Sequence, residues 1–234
     1  MNGPTSGSWP SPGPLETGQF PDHLTARVVT PGAQPRIHGY DVESDLARHY
    51  SPSAVAFLAV TGELPTPETA EALDTILVFA SPVSVACAPT HAAVLARLCG
   101  GDSSSILSVA AITLAEQIKY LLNEHETFLS WLKTTTGDIP EGFRAVDQED
   151  IDAVQRLDVA LRGVGLQVPV LARGPSRNAA ILAALHACGL RARRQYEALL
   201  AWTRLPVVLA EALAEHATNF RHYPINLPHY VYEE

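Results

Sequence analysis

Signals for the start and end of helices recur along this sequence from Asp41 onward and constrain the fold more than any other feature. Ser51 and Thr66 each place a capping hydroxyl just before a proline, a residue that suits the first position of a helix. Gly62 ends the first of these segments, as glycine often does beyond a helix C-terminus. The stretches between such signals carry apolar residues at helical spacing. The pattern predicts seven to nine helices, few strands and an all-α domain.

Two segments are predicted in more detail. Asp102 is the expected cap of a long helix that runs to about Lys133, and its first half is apolar nearly all round, which is typical of a buried central helix. A last helix is expected from Arg191 to about Asn219. Pro206 lies inside it, so we expect the helix to be kinked or split there.

The N-terminal residues differ from the rest of the chain. Thirteen of the first 20 residues are Gly, Pro, Ser or Thr, and they show no periodic apolar face. This composition predicts a disordered arm over residues 1–22 and a folded domain over residues 23–234.

Composition excludes several functional classes. Apolar residues make up 47% and charged residues 18% of the chain, which is typical of a globular protein. The net charge of −9 argues against binding to nucleic acid or to an anionic membrane, and no uninterrupted apolar run approaches the ~18 residues of a transmembrane helix. The three cysteines form no CxxC pair, so neither a disulfide framework nor a metal site is indicated. We therefore expect a cytoplasmic protein without a metal.

Two motifs within residues 36–73 resemble the citrate synthase superfamily. One is the Gly-Tyr-Asp turn at 39–41, and the other is the Gly-Glu-Leu-Pro-Thr loop at 62–66 between two helices. Residues 89–117 are similar to the central helices of that family. The final residues, 219–234, resemble the end of citryl-CoA lyases and of the lyase domain of ATP-citrate lyase.

This resemblance implies a large helical domain with a reduced lid at about residues 134–174, and a homodimer packed through helices. It also implies a cleft for an acyl-CoA thioester and an oxo-acid, with coenzyme A entering as a substrate and no permanently bound cofactor. The chemistry of the family is a Claisen-type condensation or its reverse. An aspartate removes a proton, two histidines polarise the reactants, and arginines hold the carboxylates.

The positions that correspond to the catalytic groups of the family do not match. Leu121 stands near the position of the first histidine, and Ser84 near that of a substrate-binding histidine. Arg144 follows the segment after which the second histidine is expected, and Asn178 stands in place of the aspartate. An amide cannot act as a carboxylate base. The sequence therefore predicts that the chain does not carry out ordinary citrate synthesis.

Other polar residues remain as candidates for the site. For catalysis these are His91 and His125 in a shifted geometry, together with Asn178; a capping or structural role is the alternative for His91.

Arg173 and Arg177 flank a turn before a predicted helix, where they could form an anion site or a solvated loop. The further candidates for substrate binding are Arg221 and His222, which match the tail of the family, and His38, which could equally shape its turn. The arginines Arg191, Arg193 and Arg194 form a basic cluster, either solvated or facing phosphate groups.

The combined interpretation is a divergent protein of the citrate synthase superfamily that acts on, or binds, an acyl-CoA thioester or a citrate-like acid. An enzyme of the acyltransferase or lyase type with non-standard catalytic residues is favoured. The alternative is a non-catalytic protein that binds such a ligand, or a structural partner of an active paralogue.

Overall fold

Helices joined by short turns make up most of the fold. The computed structural model describes residues 23–134 and 136–216, and within these ranges there are nine α-helices. The all-α prediction is confirmed. The helices are α1 (Ala47–His49), α2 (Pro52–Thr61), α3 (Pro67–Ala80), α4 (Ala88–Leu98), α5 (Ser103–Glu124), α6 (Glu126–Leu132), α7 (Gln148–Gly163), α8 (Arg177–Ala187) and α9 (Arg193–Ala214).

A small antiparallel sheet precedes the helices. Its three strands pair in the order β1-β2-β3, and each has only two residues. Val29 pairs with Ile37, and Ile37 pairs with Tyr40 across the turn that contains Gly39. A π-helical turn leads from the sheet into α1, and two short 3-10 turns flank α7. The bounds are β1 (Val29–Thr30), β2 (Arg36–Ile37), β3 (Tyr40–Asp41), the π-helical turn Val42–Leu46, and the 3-10 turns Glu141–Phe143 and Leu171–Arg173.

The predicted helix starts are confirmed by their capping hydrogen bonds. The Ser51 hydroxyl accepts a hydrogen bond from the backbone N–H three residues later, at 3.3 Å, and Thr66 does the same at 3.3 Å. The Asp102 carboxylate accepts one at 2.8 Å from Ser105. Gly62 ends α2 with φ of +84°, a left-handed conformation that glycine adopts without steric cost.

The long central helix differs from its prediction in two ways. It ends at Glu124, and His125 separates it from α6 with a backbone that is not helical. One face is also uncovered, because Leu107 is 45% exposed and Ile112 is 66% exposed. By length and apolar content α5 could cross a membrane. Leu114 and its neighbours one turn away are buried, so one face of the helix belongs to the core.

Helix α9 is not split at Pro206 and runs to Ala214. Its middle is anchored to the end of α3, where the Thr203 hydroxyl donates to the Leu77 carbonyl at 2.9 Å. The remaining part of the predicted last helix, up to Asn219, lies outside the described residues.

The main core surrounds α8, in which seven consecutive residues, 179–185, are buried. Four of them are alanines, whose small side chains let neighbouring helices approach closely. Val154, Leu157 and Leu161 of α7 belong to the same hydrophobic cluster. The helix within the predicted lid region of 134–174 therefore packs directly on this core and beside the N-terminal end of α8.

Candidate functional site

A cleft of about 580 Å³ opens where the N-terminal end of α8 meets the end of α3 and the second half of α5. This volume lies in the ~300–1,000 Å³ range of small-molecule sites. The lining residues come from five helices and from the loop after α3. The lining residues are Phe79, Ala80, Pro82, Val83, Ser84, Cys87, Gln117, Tyr120, Leu121, Glu124, Glu149, Arg177, Asn178, Ile181 and Arg204.

Helical periodicity explains which residues of α5 and α8 line the cleft. Gln117, Leu121 and Glu124 are spaced by four and three residues, so they lie on one face of α5. Asn178 and Ile181 are three residues apart and share a face of α8 in the same way.

Arg204 is the most enclosed cation of the cleft. Its Nε donates to the Ala80 carbonyl at 2.9 Å, which fixes the guanidinium at the end of α3. Burial lowers the pKa of Arg204; the Cys87 thiol opposes this shift, and the nearby Arg177 guanidinium adds to it. Neither arginine forms an ion pair with a carboxylate within the described ranges. The cleft thus holds two guanidinium groups without an acidic partner in that part of the chain.

The loop before α8 places Arg177 and Asn178 at the cleft. The Ser176 N–H donates to the Phe143 carbonyl at 2.8 Å, and the Ala145 N–H donates to the Gly174 carbonyl at 3.0 Å. The Asp150 carboxylate of α7 accepts the Arg177 N–H at 3.2 Å. Since Ser176 makes no side-chain cap, this contact from α7 satisfies one of the free N–H groups at the start of α8.

The cleft is also lined by two carboxylates, Glu124 and Glu149. Glu124 accepts a hydrogen bond from the Tyr120 phenol, and this bond raises the pKa of Tyr120. Glu149, in the first turn of α7, also lines the cleft and is exposed. The formal charge of the lining is therefore balanced, with one half-buried cation, Arg204, and two exposed acids.

The structure brings together three of the four positions at which the sequence departs from the superfamily pattern. The fourth, Arg144, does not line the cleft and pairs with the Asp138 carboxylate at 3.8 Å. Leu121, Ser84 and Asn178 all line this one cleft, and so does the predicted anion-binding residue Arg177. They come from three separate parts of the sequence.

The other predicted catalytic residues do not line the cleft. His125 is 8% exposed, and its Nδ1 donates to the Leu121 carbonyl at 2.8 Å. Its ring packs at 5.2 Å from the Phe143 ring, so it lies in the core one turn beyond the position of Leu121. His91 lies in the first turns of α4, one turn after the cleft residue Cys87.

The remaining predicted binding residues lie elsewhere. Arg173 donates to the Gly137 carbonyl at 2.8 Å and lies over the Trp131 ring. His38 has φ of +47° in the β2–β3 turn, and its Nε2 lies 3.4 Å from the Ala59 carbonyl. Arg221 and His222 lie outside the described residues.

Arg204 and Glu149 were missed by the sequence reasoning. A signal existed for Arg204, because it is a single cation set among the apolar residues of the last helix, between Leu200 and Leu205. An isolated charge in such a pattern is typical of a side chain that is either paired or functional. Glu149 gave no signal, because an acid in the first turn of a helix is common.

No cluster of three or more His, Cys, Asp or Glu side chains that could hold a metal ion occurs within residues 23–134 and 136–216.

No family model and no curated protein matches this chain by sequence. Solved structures do match it. Citryl-CoA lyase from Hydrogenobacter thermophilus is 16% identical with a TM-score of 0.62, over 90% of this chain and 96% of that chain. ATP citrate lyase from Methanothrix soehngenii, solved with citrate and coenzyme A, is 15% identical with a TM-score of 0.57, over 92% of this chain and 43% of that chain.

A mutant of ATP citrate lyase from Methanosaeta concilii, in complex with (3S)-citryl-CoA, is 16% identical with a TM-score of 0.56, again over 92% of this chain and 43% of that chain. The chain thus spans less than half the length of these two ATP citrate lyases. These likenesses confirm the predicted citrate-synthase-like fold.

Proposed function

We propose that this chain binds a small carboxylate in the cleft between α3, α5 and α8, as a citrate-like acid, an acyl-CoA thioester or both. The observation that carries the proposal is the pair Arg177 and Arg204, which line the cleft without a carboxylate partner in the described part of the chain. Arg204 is half-buried and Arg177 is exposed. Desolvating a cation without a counter-ion is costly, and a carboxylate bound to Arg204 would offset that cost. The planar fork of a guanidinium suits a carboxylate.

The structural neighbours support the ligand class. One neighbour is a citryl-CoA lyase, and two are ATP citrate lyases solved with citrate and coenzyme A or with (3S)-citryl-CoA. With coenzyme A as a substrate, the proposal includes no permanently bound cofactor.

We propose altered chemistry in this cleft, not ordinary citrate synthesis. Leu121 offers no polar atom, and the Asn178 amide can donate a hydrogen bond to a ligand oxygen but cannot remove a proton from carbon. Proton transfer would fall to Glu149 or Glu124, the carboxylates that line the same cleft.

The second candidate is a protein that binds the ligand without turnover, or that assembles with an active paralogue. The same two residues favour it, because Leu121 and Asn178 leave the cleft without a histidine or a base at those two positions.

We also propose that a second copy of the chain covers α5. Ile112 is 66% exposed on this helix, and an apolar face of this kind is typical of an oligomer interface. Ile112→Glu should convert a dimer into a monomer in light scattering. Val159→Glu is the matched control, since Val159 is 71% exposed on α7. A wild-type monomer, or a dimer unaffected by Ile112→Glu, contradicts the proposal.

The net charge of −9 supports a protein that binds neither nucleic acid nor anionic membranes, and the three cysteines without a CxxC pair support a cytoplasmic setting. This setting is part of the proposal.

Ligand-induced thermal shift tests the carboxylate proposal. Citrate, oxaloacetate, coenzyme A and acetyl-CoA are screened one at a time against the full chain. A ligand at 100 times its dissociation constant stabilises the native state by ~2.7 kcal/mol, which is easily detected. Stabilisation by one of these ligands is expected, and its loss in Arg204→Met assigns it to the cleft. No stabilisation by any of them refutes the proposal and leaves the structural partner as the surviving candidate.

A further inference from the structure

A second cavity of about 140 Å³ lies outside the cleft, between α6, the far end of α8 and the start of α9. Its polar lining consists of Glu126, Ser130, Lys133, His186, Arg191, Arg193 and Tyr196. His186 follows Asn178 by eight residues on α8, which separates the two sites by ~12 Å along the helix axis. At ~30 Å³ per water molecule, the cavity has the volume of four or five waters. That volume is sufficient for one tetrahedral oxyanion.

The lining of this cavity carries an excess of positive charge. Lys133, Arg191 and Arg193 face a single lining acid, Glu126. The Arg193 Nε pairs with the Glu197 carboxylate at 2.8 Å. Lys133 and Arg191 form no ion pair with a carboxylate in the described ranges. Two exposed cations thus border a small cavity without an ion pair in that part of the protein, and Glu126 is the one acid of the lining.

The two guanidinium groups are held in place by backbone carbonyls. Arg191 donates through Nη1 to the carbonyls of Leu190 and His186. Arg193 donates through Nη2 to the Lys119 carbonyl at 2.9 Å. Each guanidinium has five N–H donors, so both keep donors for a ligand. Fixing them beforehand reduces the entropy lost on binding.

The hydrogen bonds of His186 define which ring nitrogen is available. The Tyr196 hydroxyl donates to the Leu190 carbonyl at 2.9 Å, so its oxygen accepts from the His186 Nδ1–H at 3.1 Å. In the neutral ring Nε2 then carries no hydrogen. Burial, and next the charges of Arg191 and Lys133, lower the pKa of His186. An anion in the cavity would oppose those charges and favour protonation of Nε2.

We propose that this cavity is a binding site for a tetrahedral oxyanion, held by Lys133, Arg191 and His186, with uptake of one proton by His186. Nε2 becomes a third donor when it gains the proton. The charged and titratable groups that line the cavity with the ring are Glu126 of α6 and Lys133 just after it, together with Arg191, Arg193 and Tyr196 from the start of α9 and the turn before it. The site is independent of the cleft.

Calorimetric titration with sulfate, at an ionic strength held constant with chloride, tests the site on the full chain. Lys133→Gln should weaken sulfate binding ~10-fold, because it removes one charge-assisted hydrogen bond. Arg194→Gln is the matched control, since Arg194 belongs to the same basic cluster and is exposed but does not line the cavity. It makes the same change in net charge and should leave the affinity unchanged. Absence of sulfate binding, or equal effects of both variants, would overturn the proposal.

The pH dependence tests the role of His186. Sulfate does not titrate between about pH 6 and pH 8, so a fall in its affinity as pH rises reports proton uptake by the protein, by up to ~10-fold per pH unit. His186→Asn keeps a donor for the Tyr196 oxygen and removes Nε2, so it should flatten this dependence. A wild-type affinity that does not change with pH, or an unchanged slope in His186→Asn, overturns the assignment of His186.

The source of the oxyanion is tested by comparing inorganic phosphate with glycerol 3-phosphate. Tighter binding of inorganic phosphate supports a free ion, and tighter binding of the ester supports the end group of a larger molecule. Binding of neither contradicts the site.

Discussion

Replacement of Arg204 by methionine separates ligand binding from stability at the cleft. Methionine keeps much of the length of the aliphatic chain and removes the guanidinium. A charge-assisted hydrogen bond contributes ~1.5–3 kcal/mol, so Arg204→Met should weaken the binding of citrate, or of whichever carboxylate the cleft selects, by ~10-fold to ~150-fold.

The effect on the unfolding free energy should be small, because two contributions oppose each other. The variant leaves the Ala80 carbonyl without the Nε donor at 2.9 Å, and losing such a partner costs ~1–3 kcal/mol. It also removes a cation whose pKa burial lowers. At neutral pH arginine is charged in both the folded and the unfolded chain, so the desolvation cost of the folded state is fully present and is relieved by the substitution.

The assay is titration calorimetry with citrate and acetyl-CoA, paired with urea denaturation of the ligand-free protein. Arg156→Gln is the control, since Arg156 is exposed on α7 away from the cleft. Unchanged affinity in Arg204→Met would refute the reasoning that the unpaired guanidinium binds the ligand. A loss of affinity accompanied by unfolding would assign Arg204 a structural role instead.

Three further predictions follow from particular residues. Incubation with acetyl-CoA and oxaloacetate should release free thiol far below the ~1–10³ per second of typical enzymes, because the Asn178 amide cannot act as the base; turnover in that range would contradict the assignment. Burial raises the pKa of Cys188 to about 12, so at pH 8 an alkylating reagent should modify exposed Cys99 and leave Cys188 unmodified in the native protein, as read by mass spectrometry. Leu73→Ala should lower the unfolding free energy by ~2–5 kcal/mol, since Leu73 is 0% exposed in α3. The control Val78→Ala, at a 69% exposed position of the same helix, should change it by less than ~0.5 kcal/mol. Equal denaturation midpoints for the two variants would count against the described core.

The folding topology was largely predictable because its signals are local. The caps at Ser51, Thr66 and Asp102 act through hydrogen bonds that span three residues, and Gly62 ends its helix through its own backbone conformation. Such signals can be recognised without knowing the tertiary structure. The motifs at 39–41 and 62–66 then pointed to the citrate-synthase-like fold, and the solved structures confirm it.

The cleft was only partly predictable, because proximity between distant residues depends on packing. The sequence pointed to Asn178 and Arg177, which line the cleft, but it also pointed to His125, which the break after α5 turns into the core. Arg204 was missed because it lies 27 residues after Arg177, and only the packing of α9 against α3 brings it to the cleft.

The sequence by itself determined the helices, because helix capping and apolar periodicity are properties of neighbouring residues. The tertiary structure alone decided which charges stand without a partner. An arginine in the printed sequence is equally compatible with a solvated surface, an ion pair or a binding site. Arg193 finds Glu197 four residues away, whereas Arg204 contacts only the Ala80 carbonyl among the polar partners described for it. That difference arises because the packing of α9 against α3 holds the Arg204 guanidinium at the end of α3, where it forms no ion pair with a described carboxylate.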